Sequence, residues 1–371
     1  MARKKVLAGL CMCSVVMVIS WKVIDNNSLR QRKHGEINDE NVNQRHDQRL
    51  MLLPHQGNLR LVDTSRHFWQ DTNKDRQKSR TQWQNRRENL KSVTVYTKQP
   101  ENSSWALDKV TCDDAPLFKS VKLKTEYGSV DIFIHDPRKD TWVSAVLSRG
   151  ETWEQDLVDL ITKILKEEKH AALLDIGANI GVYTLVAAML GFNVIAVEPL
   201  EINVQRLCSS MGAGNFTGNV TIVRNALSDH SQRVTIGKVI ANVGGSYILQ
   251  EKNANKAKSD VITGKYPDII WTTTLDDILK LPGYNLEKVV IKMDVEGYEN
   301  KVLNGGMNFF DLTNIPVVLM EWNYHKSGSS GQEILKFFSK RNYSAYLPME
   351  NMKLDPSHSN EWPADILWKK D

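Results

Sequence analysis

Residues 173–181 have the sequence Leu-Leu-Asp-Ile-Gly-Ala-Asn-Ile-Gly, an apolar run that ends in an acid and two spaced glycines. An apolar helical pattern follows over residues 182–190. An apolar strand that runs through glycines into a helix is how a βαβ fold builds a nucleotide pocket. The glycines permit a tight turn and a close approach to a ligand, and the helix N-terminus offers free N–H groups.

A second apolar strand, residues 193–197, ends in Glu198. An acid about 20 residues beyond the glycine loop is placed to accept hydrogen bonds from ribose hydroxyls. The two signals together predict an adenosine-containing cofactor. A phosphate-binding loop needs a third glycine, whereas Gly-x-x-x-Gly preceded by Asp175 favours a phosphate-free cofactor that carries a sulfonium.

Strand and helix patterns alternate beyond this motif, which predicts an α/β, Rossmann-like parallel sheet covered on both faces. The predicted core strands are 171–175, 193–198, 220–225, 289–294, 316–321, 344–347 and 364–368. We expect the last two strands to pair antiparallel, because only a polar loop separates them. An insert, residues 234–270, lies between the third and fourth strands.

The chain is predicted to contain one folded domain, residues 111–371, behind a targeting segment. A hairpin and a helix, residues 117–168, precede the core at 169–371. Residues 25–110 are polar and lack sustained apolar periodicity, so we expect a flexible stem. We expect residues 1–5 to form a cytoplasmic tip before an apolar segment at 6–24.

The apolar segment at 6–24 is long for a signal-peptide core and short for a spanning helix. Positive charge before it favours a cytoplasmic N-terminus and translocation of the remainder. We therefore predict a signal anchor and a single-pass type II membrane protein of the Golgi or ER lumen. The alternatives are cleavage after Ser20 with secretion, or a buried core segment.

Glycosylation triplets and cysteines agree with a secretory compartment. The sequence contains five Asn-x-Ser/Thr triplets, all in polar or turn-like segments. They begin at Asn26, Asn102, Asn215, Asn219 and Asn342. Outside the apolar segment only Cys112 and Cys208 remain, and they form either one disulfide or two buried thiols.

The net charge of +4 is unevenly distributed. Residues 1–110 carry a net charge of +9, and the rest of the chain carries −5. A nucleic-acid enzyme concentrates basic charge around its working fold. The acidic domain therefore argues against a nucleic-acid partner.

An ordered series of motifs extends through the domain. It comprises DIGANIG (175–181), VEP (197–199), ALSD (226–229), NVGGS (242–246), TLDD (274–277) and KMDVEGYE (292–299). This series resembles FkbM-type methyltransferases, from about residue 113 to the C-terminus. The resemblance implies a seven-stranded class I methyltransferase sheet that uses S-adenosylmethionine. Such enzymes typically methylate hydroxyl oxygens on sugars or natural products.

We therefore predict an O-methyltransferase whose acceptor is a small molecule or glycan, with a carbohydrate or glycoconjugate hydroxyl expected. Two alternatives belong to other classes. One is a catalytically inactive scaffold protein with the same fold. The other is an NAD-dependent oxidoreductase, although the G-x-G-x-x-G pattern that such an enzyme should show is missing here.

The cofactor residues are predicted from their places in the motifs. Asp175 meets the ligand's ammonium group or orients the turn, and the glycines make room for the methionine portion. Glu198 accepts hydrogen bonds from the ribose, and Ala226 and Leu227 flank the adenine. The full predicted set is Asp175, Gly177, Asn179, Gly181, Glu198, Ala226 and Leu227.

The catalytic residues are predicted at the ends of the fourth and fifth strands, beside the topological switch point. A sugar hydroxyl loses its proton as the new bond forms, so a carboxylate is a useful base. Asp294 is the first candidate and Glu296 the second. Glu321 is a base or a substrate holder, with Trp322 and Tyr324 as faces for a sugar ring.

Other roles compete for these residues. Glu296 and Glu299 can instead cap the following helix, and we expect this of Glu299. Asp294, Glu296 and Glu321 offer oxygen ligands for a divalent metal, but no ligand spacing requires one and no metal is predicted. His230 and His325 are expected to be surface loop residues.

Overall fold

The computed structural model describes residues 50–55, 58–63, 93–99, 104–239, 242–249, 269–284 and 286–371. It divides the chain into two compact units, residues 1–70 and 71–371. In the first unit, β1 (Leu50–His55) and β2 (Asn58–Asp63) pair as an antiparallel hairpin. The predicted tip at 1–5 and anchor at 6–24 lie outside the described residues. No helix in the described ranges is long and apolar enough to cross a membrane.

The second unit alternates strands and helices. Its strands are β3 (Thr94–Thr97), β4 (Ala106–Leu107), β5 (Lys119–Thr125), β6 (Gly128–Ile134), β7 (Ala172–Ile176), β8 (Val194–Val197), β9 (Val220–Val223), β10 (Ala226–Leu227), β11 (Arg233–Val239), β12 (Asn242–Leu249), β13 (Ile269–Thr273), β14 (Val289–Met293), β15 (Val317–Glu321), β16 (Tyr343–Tyr346) and β17 (Asp365–Lys370). Its α-helices are α1 (Val143–Ser148), α2 (Gln155–Glu167), α3 (Val182–Met189), α4 (Glu201–Gly214), α5 (Leu275–Ile278), α6 (Glu299–Asn304), α7 (Met307–Leu312) and α8 (Ser329–Ser339).

The main sheet, as far as the described ranges show, has the order β16-β17-β15-β14-β7-β8-β9-β3-β4. Strands β15, β14, β7, β8 and β9 run parallel, whereas β17 is antiparallel to both of its neighbours. All seven predicted core strands are present. The Rossmann-like α/β core and its antiparallel ending are confirmed.

Successive side chains along the strands point to opposite faces of the sheet, and they form two apolar cores, one on each face. Leu173 belongs to the first core, together with the hairpin β5–β6 and helices α2 to α4. Its neighbour Leu174 belongs to the second core, together with helices α5 to α8. Successive side chains of a strand point to opposite faces, so a parallel strand buried on both sides is apolar throughout.

The sheet has two strands more than predicted. β3 lies in the segment predicted as a flexible stem, yet it pairs parallel with β9, and Val95 is only 1% exposed. The predicted domain boundary at residue 111 is therefore too late. A four-residue strand with one fully buried side chain is too short to give a visible periodicity within a polar segment.

The insert forms part of a second sheet with the order β10-β13-β11-β12. β11 and β12 pair antiparallel, and β10 pairs parallel with β13. This sheet begins directly beyond β9, so it stands over the carboxyl end of the main sheet.

Cys112 and Cys208 form a disulfide, which decides between the two alternatives for these residues. The bond joins the segment before β5 to helix α4, across 96 residues of sequence. Cross-linking residues so far apart removes much conformational entropy from the unfolded chain.

We expect loss of this disulfide to lower the free energy of unfolding by about 2–5 kcal/mol. The measurement is denaturant unfolding of the Cys112→Ser/Cys208→Ser variant against the oxidised wild type. A variant that unfolds at the same denaturant concentration would show that the bond does not stabilise the fold.

Candidate active site

A cavity opens at the carboxyl ends of β7, β8 and β14, and the space within it, its open mouth included, is about 880 Å³. This is the edge at which open α/β sheets bind ligands. Of the predicted site residues, the cavity is lined by Gly177, Asn179, Glu198, Ala226, Leu227, Asp294 and Glu296. Asp175, Gly181 and Glu321 do not line it.

Asp175 has the second of its two predicted roles, that of orienting the turn. Its side chain is fully buried, and its Oδ2 accepts hydrogen bonds from the Thr184 backbone N–H at 3.1 Å and the Thr184 hydroxyl at 2.6 Å. It therefore fixes the first turn of α3 against the end of β7. Contact with the ligand's ammonium group is not available to it from this position.

The two glycines serve different purposes. Gly177 has a φ of +82°, and a Cβ placed there would lie 1.8 Å from the Asp294 carbonyl oxygen. It thus allows the loops after β7 and β14 to touch at the cavity floor. Gly181 was expected to make room for the ligand, but a Cβ there would lie 2.4 Å from Leu207 Cδ1. It allows α3 to pack closely on α4.

Glu198 and Asn179 hold the loop together at the position predicted for the ribose. Glu198 Oε2 accepts the Asn179 backbone N–H at 2.8 Å, and Oε1 accepts the Leu200 N–H at 2.9 Å. Burial raises the pKa of Glu198 to about 7, although these hydrogen bonds favour the charged form. Oε1 also accepts the Asn203 side-chain amide at 3.2 Å, whereas Oε2 keeps a second lone pair. Glu198 can therefore still accept a hydroxyl donor from the cavity, and its role as ribose acceptor stays a prediction.

Ala226 and Leu227 form β10 beside the apolar side chains of Ile236 and Ile248, which come from the insert. The neighbouring Asn225 amide donates to the Lys98 carbonyl at 2.7 Å and the Trp271 carbonyl at 3.0 Å. This part of the cavity is an apolar slot. Its apolar lining suits an aromatic base such as adenine.

Lys292 lines the cavity, although the sequence motifs did not predict it as a site residue. Its ammonium group donates to the Gly177 carbonyl at 3.2 Å and to Asp294 Oδ2 at 3.3 Å. Burial lowers the pKa of Lys292, but the carboxylates of Asp294, Asp175 and Glu154 outweigh burial and raise it. The signal available in the sequence was a lysine inside the otherwise apolar run VVIKM, residues 289–293.

Glu296 lines the cavity in a left-handed conformation with a φ of +56°. Its Oε2 accepts a hydrogen bond from the Tyr324 hydroxyl at 2.5 Å. Tyr324, which was predicted to face a sugar ring, therefore lies next to the second candidate base. Trp322, by contrast, is fully buried and offers no face to a sugar. That expectation was wrong because its indole packs in the second core, against Trp362 and Trp368.

Glu321 is unsuited to the predicted role of base. Burial raises its pKa to about 10, with further contributions from the carboxylates of Asp294, Glu299 and Glu296. It is therefore protonated at neutral pH and donates a hydrogen bond to Asp294. Its Oε2 is buried and has no hydrogen-bond partner among the described side chains and backbone groups.

Because the folded-state pKa of Glu321 lies above its ordinary value of 4.5, the folded state binds its proton more tightly than the unfolded state does. The corresponding stabilisation is complete at about pH 4 and declines as the pH rises toward about 10. We expect Glu321→Gln, which cannot ionise, to lose less stability between about pH 5 and pH 9 than wild type. Denaturant unfolding across this range checks this, and parallel profiles would contradict it.

Glu299 and His325 form a buried pair behind the cavity. Glu299 is the first residue of α6, but its Oε1 accepts the N–H of Val295, which precedes the helix, at 2.9 Å, so the expected capping bond is not made. Its Oε2 lies 2.6 Å from His325 Nε2, and His325 is 2% exposed. The expectation of a surface histidine was wrong, because Glu299 provides the polar partner that permits burial.

Oxygens of Asp294, Glu299 and Glu321 lie within 4.8 Å of one another. Glu299 thus stands where Glu296 was expected in the trio of possible metal ligands. Both Glu299 oxygens already bond to the Val295 N–H and His325. Hydrogen bonds within the protein therefore account for the close approach of these three carboxyl groups.

Comparison with known proteins agrees with this geometry. The model of the methyltransferase FkbM domain matches residues 175–345. Over these residues the chain is similar to the FkbM methyltransferases. Enzymes of this family take their methyl group from S-adenosylmethionine, which confirms the predicted family, cofactor and enzyme class.

A curated relative is the hexuronic acid methyltransferase AglP of Haloferax volcanii. It is 25% identical over 202 residues, which cover 54% of this chain and 74% of the relative. Among solved structures, the tRNA (uracil-54, C5)-methyltransferase of Pyrococcus abyssi aligns with a TM-score of 0.33 and 12% identity, over 67% of this chain and 43% of that enzyme. The O-methyltransferase TomG of Streptomyces achromogenes aligns with a TM-score of 0.35 and 9% identity, over 64% of this chain and 91% of TomG.

Proposed function

We propose that this methyltransferase transfers the methyl group of S-adenosylmethionine to a hydroxyl oxygen of a carbohydrate or glycoconjugate. The observation that carries the proposal is the position of Asp294. Its side chain lines the cavity at the end of β14, and its backbone touches Gly177 in the cofactor loop. An acceptor at Asp294 therefore lies next to the loop that holds the cofactor.

The charge of the cavity fits the cofactor. Among the described lining residues, the carboxyl groups of Glu154, Glu198, Asp294 and Glu296 face a single cation, Lys292. A dinucleotide would bring negative phosphates into this surplus of acid. S-adenosylmethionine has a sulfonium, an ammonium and one carboxylate. Its net positive charge therefore complements the excess of carboxyl groups in the cavity.

The residues present can supply general-base catalysis. S-adenosylmethionine, when bound, provides an electrophilic methyl group. With the cofactor bound, Asp294 would hold the acceptor hydroxyl and accept its proton as the methyl group is transferred. Lys292 and the protonated Glu321 hold the Asp294 carboxylate on either side, so the enzyme mainly aligns the reacting groups.

A sugar acceptor is supported by the name of the Haloferax relative and by the half-exposed ring of Tyr324 next to Glu296. That relative acts on a hexuronic acid. Here Asp294 and Glu296 would repel a carboxylate held close to them. We expect a neutral hexose hydroxyl to be methylated in preference to a hexuronic acid.

The test is incubation of the purified full chain with labelled S-adenosylmethionine and paired glycans that end in a hexose or its hexuronic acid. Label in the neutral glycans is expected. Melting temperature is measured in parallel, because a ligand at 100 times its Kd stabilises the native state by about 2.7 kcal/mol. A chain that S-adenosylmethionine does not stabilise would instead be the non-enzymatic scaffold.

We also propose that the domain works in the secretory lumen. The Cys112–Cys208 disulfide supports an oxidising compartment. Of the triplets in the described ranges, Asn215 and Asn342 are exposed, whereas the Asn219 amide donates to the carbonyls of Ala188 and Phe192. Expression in a secretory host should give a glycosidase-sensitive chain that loses its glycans when Asn215 and Asn342 are replaced. An unglycosylated, fully reduced chain would contradict this.

A further inference from the structure

Glu154 occupies an unusual place at the edge of the cavity. It immediately precedes helix α2, and it adopts a left-handed conformation with a φ of +52°. Such a backbone costs free energy for a residue with a side chain. The conformation directs the carboxylate into the cavity, where the Tyr183 hydroxyl donates to its Oε2 at 2.8 Å.

The surroundings of Glu154 contain more negative than positive charge. Lys292 is the nearby cation, and it is already bonded to Asp294 and to the Gly177 carbonyl. Burial raises the pKa of Glu154, Lys292 lowers it, and Asp294 raises it again. A second cation at this point would therefore relieve an unfavourable arrangement of desolvated carboxylates.

The position of Glu154 in the fold defines which part of the cofactor it can meet. The apolar slot at Ala226 and Leu227 lies beyond β9, and Glu198 follows β8. Glu154 lies at the other end of the cavity, next to Lys292 and Asp294 of the β14 end. A cofactor with its base in the slot and its ribose at Glu198 directs its amino-acid end toward Glu154.

We propose that Glu154 binds the α-ammonium group of S-adenosylmethionine, with Tyr183 holding its carboxylate in place. The proposal rests on the proposed function, since it assigns one end of that cofactor. It adds a binding residue from the segment before the first core strand, outside the matched residues 175–345. Asp294 and Glu296 are left free for the acceptor.

Calorimetry with two ligands tests the assignment. S-adenosylhomocysteine carries the amino-acid end, whereas 5′-methylthioadenosine has the same nucleoside and thioether but no ammonium group. We expect Glu154→Gln to weaken S-adenosylhomocysteine binding about tenfold or more, because a hydrogen bond to a charged group is lost. Binding of 5′-methylthioadenosine should change less than about twofold.

Glu151→Gln is the matched control, since Glu151 is an exposed acid of the same loop whose partner is Arg149. It should leave both affinities unchanged. Tyr183→Phe keeps the ring but removes the hydroxyl, and it should weaken S-adenosylhomocysteine selectively and by less than Glu154→Gln does. Its melting curve also shows whether the cavity remains intact.

Equal weakening of both ligands by Glu154→Gln would overturn the assignment, because it would show general damage to the cavity. So would an unchanged affinity for S-adenosylhomocysteine. If the wild-type chain binds neither ligand, the proposed function itself fails. That result is distinct from a failure of the Glu154 assignment alone.

Discussion

Asp294→Asn is expected to reduce the rate of methyl transfer by about 10²- to 10⁴-fold, the range for loss of a general base. The amide cannot accept the acceptor's proton, although it has nearly the same shape as the carboxylate. Because Asp294 is proposed to hold the acceptor and not the cofactor, the affinity for S-adenosylhomocysteine should stay within about threefold of wild type. Single-turnover kinetics and calorimetry measure the two effects separately.

Asp131→Asn is the control for this substitution. Asp131 lies on the hairpin strand β6 and pairs with Lys122 at the surface. It should leave the rate unchanged. An Asp294→Asn enzyme that methylates at the wild-type rate would remove Asp294 as the base without changing the cofactor assignment.

Gly177→Ala is expected to lower the free energy of unfolding by more than about 3 kcal/mol and to abolish cofactor binding. A methyl group at this position would lie 1.8 Å from the Asp294 carbonyl oxygen. The loops after β7 and β14 would have to separate, which opens the floor of the cavity and displaces the candidate base.

Gly191→Ala separates this clash from backbone strain. Gly191 has a φ of +85°, close to the +82° of Gly177, but a Cβ there would meet nothing within 4 Å. It should lose only about 1–2 kcal/mol, the cost of a left-handed alanine. Denaturant unfolding of both variants is the measurement. Equal losses would show that the contact between Gly177 and Asp294 is unimportant.

The sequence was most informative where a pattern extended over many residues. The buried parallel strands were predictable because both faces are covered, which leaves continuous apolar runs such as Val289–Met293. The glycine loop and Glu198 were predictable because their spacing reflects one βαβ unit. The family resemblance then supplied the cofactor.

What the sequence did not show depends on contacts between distant segments. Strand β3 is fixed by β9, which lies more than a hundred residues away. The burial of His325 depends on Glu299, and the place of Glu154 in the cavity depends on Tyr183 and Lys292. The two members of each pair belong to different segments of the chain. Sequence periodicity relates only residues within one helix or strand, so it cannot predict these contacts.

The same limit applies to the division of roles among the acids. Asp175 and Glu321 come at strand ends, as do Asp294 and Glu198, so their positions in the sequence look alike. The fold turns Asp175 toward Thr184 and leaves Glu321 protonated behind Asp294. Burial and hydrogen-bond partners, which only the structure shows, separate the residues that face the cavity from those that support it.

A calorimetric titration of the full chain with S-adenosylhomocysteine, and separately with NAD, tests the central assignment most directly. The apolar slot and the carboxylates around a single lysine predict saturable one-to-one binding of S-adenosylhomocysteine, which carries no phosphate, and no heat with NAD, which carries two. Tight binding of NAD, or no interaction with the sulfur-containing nucleoside, would contradict the account.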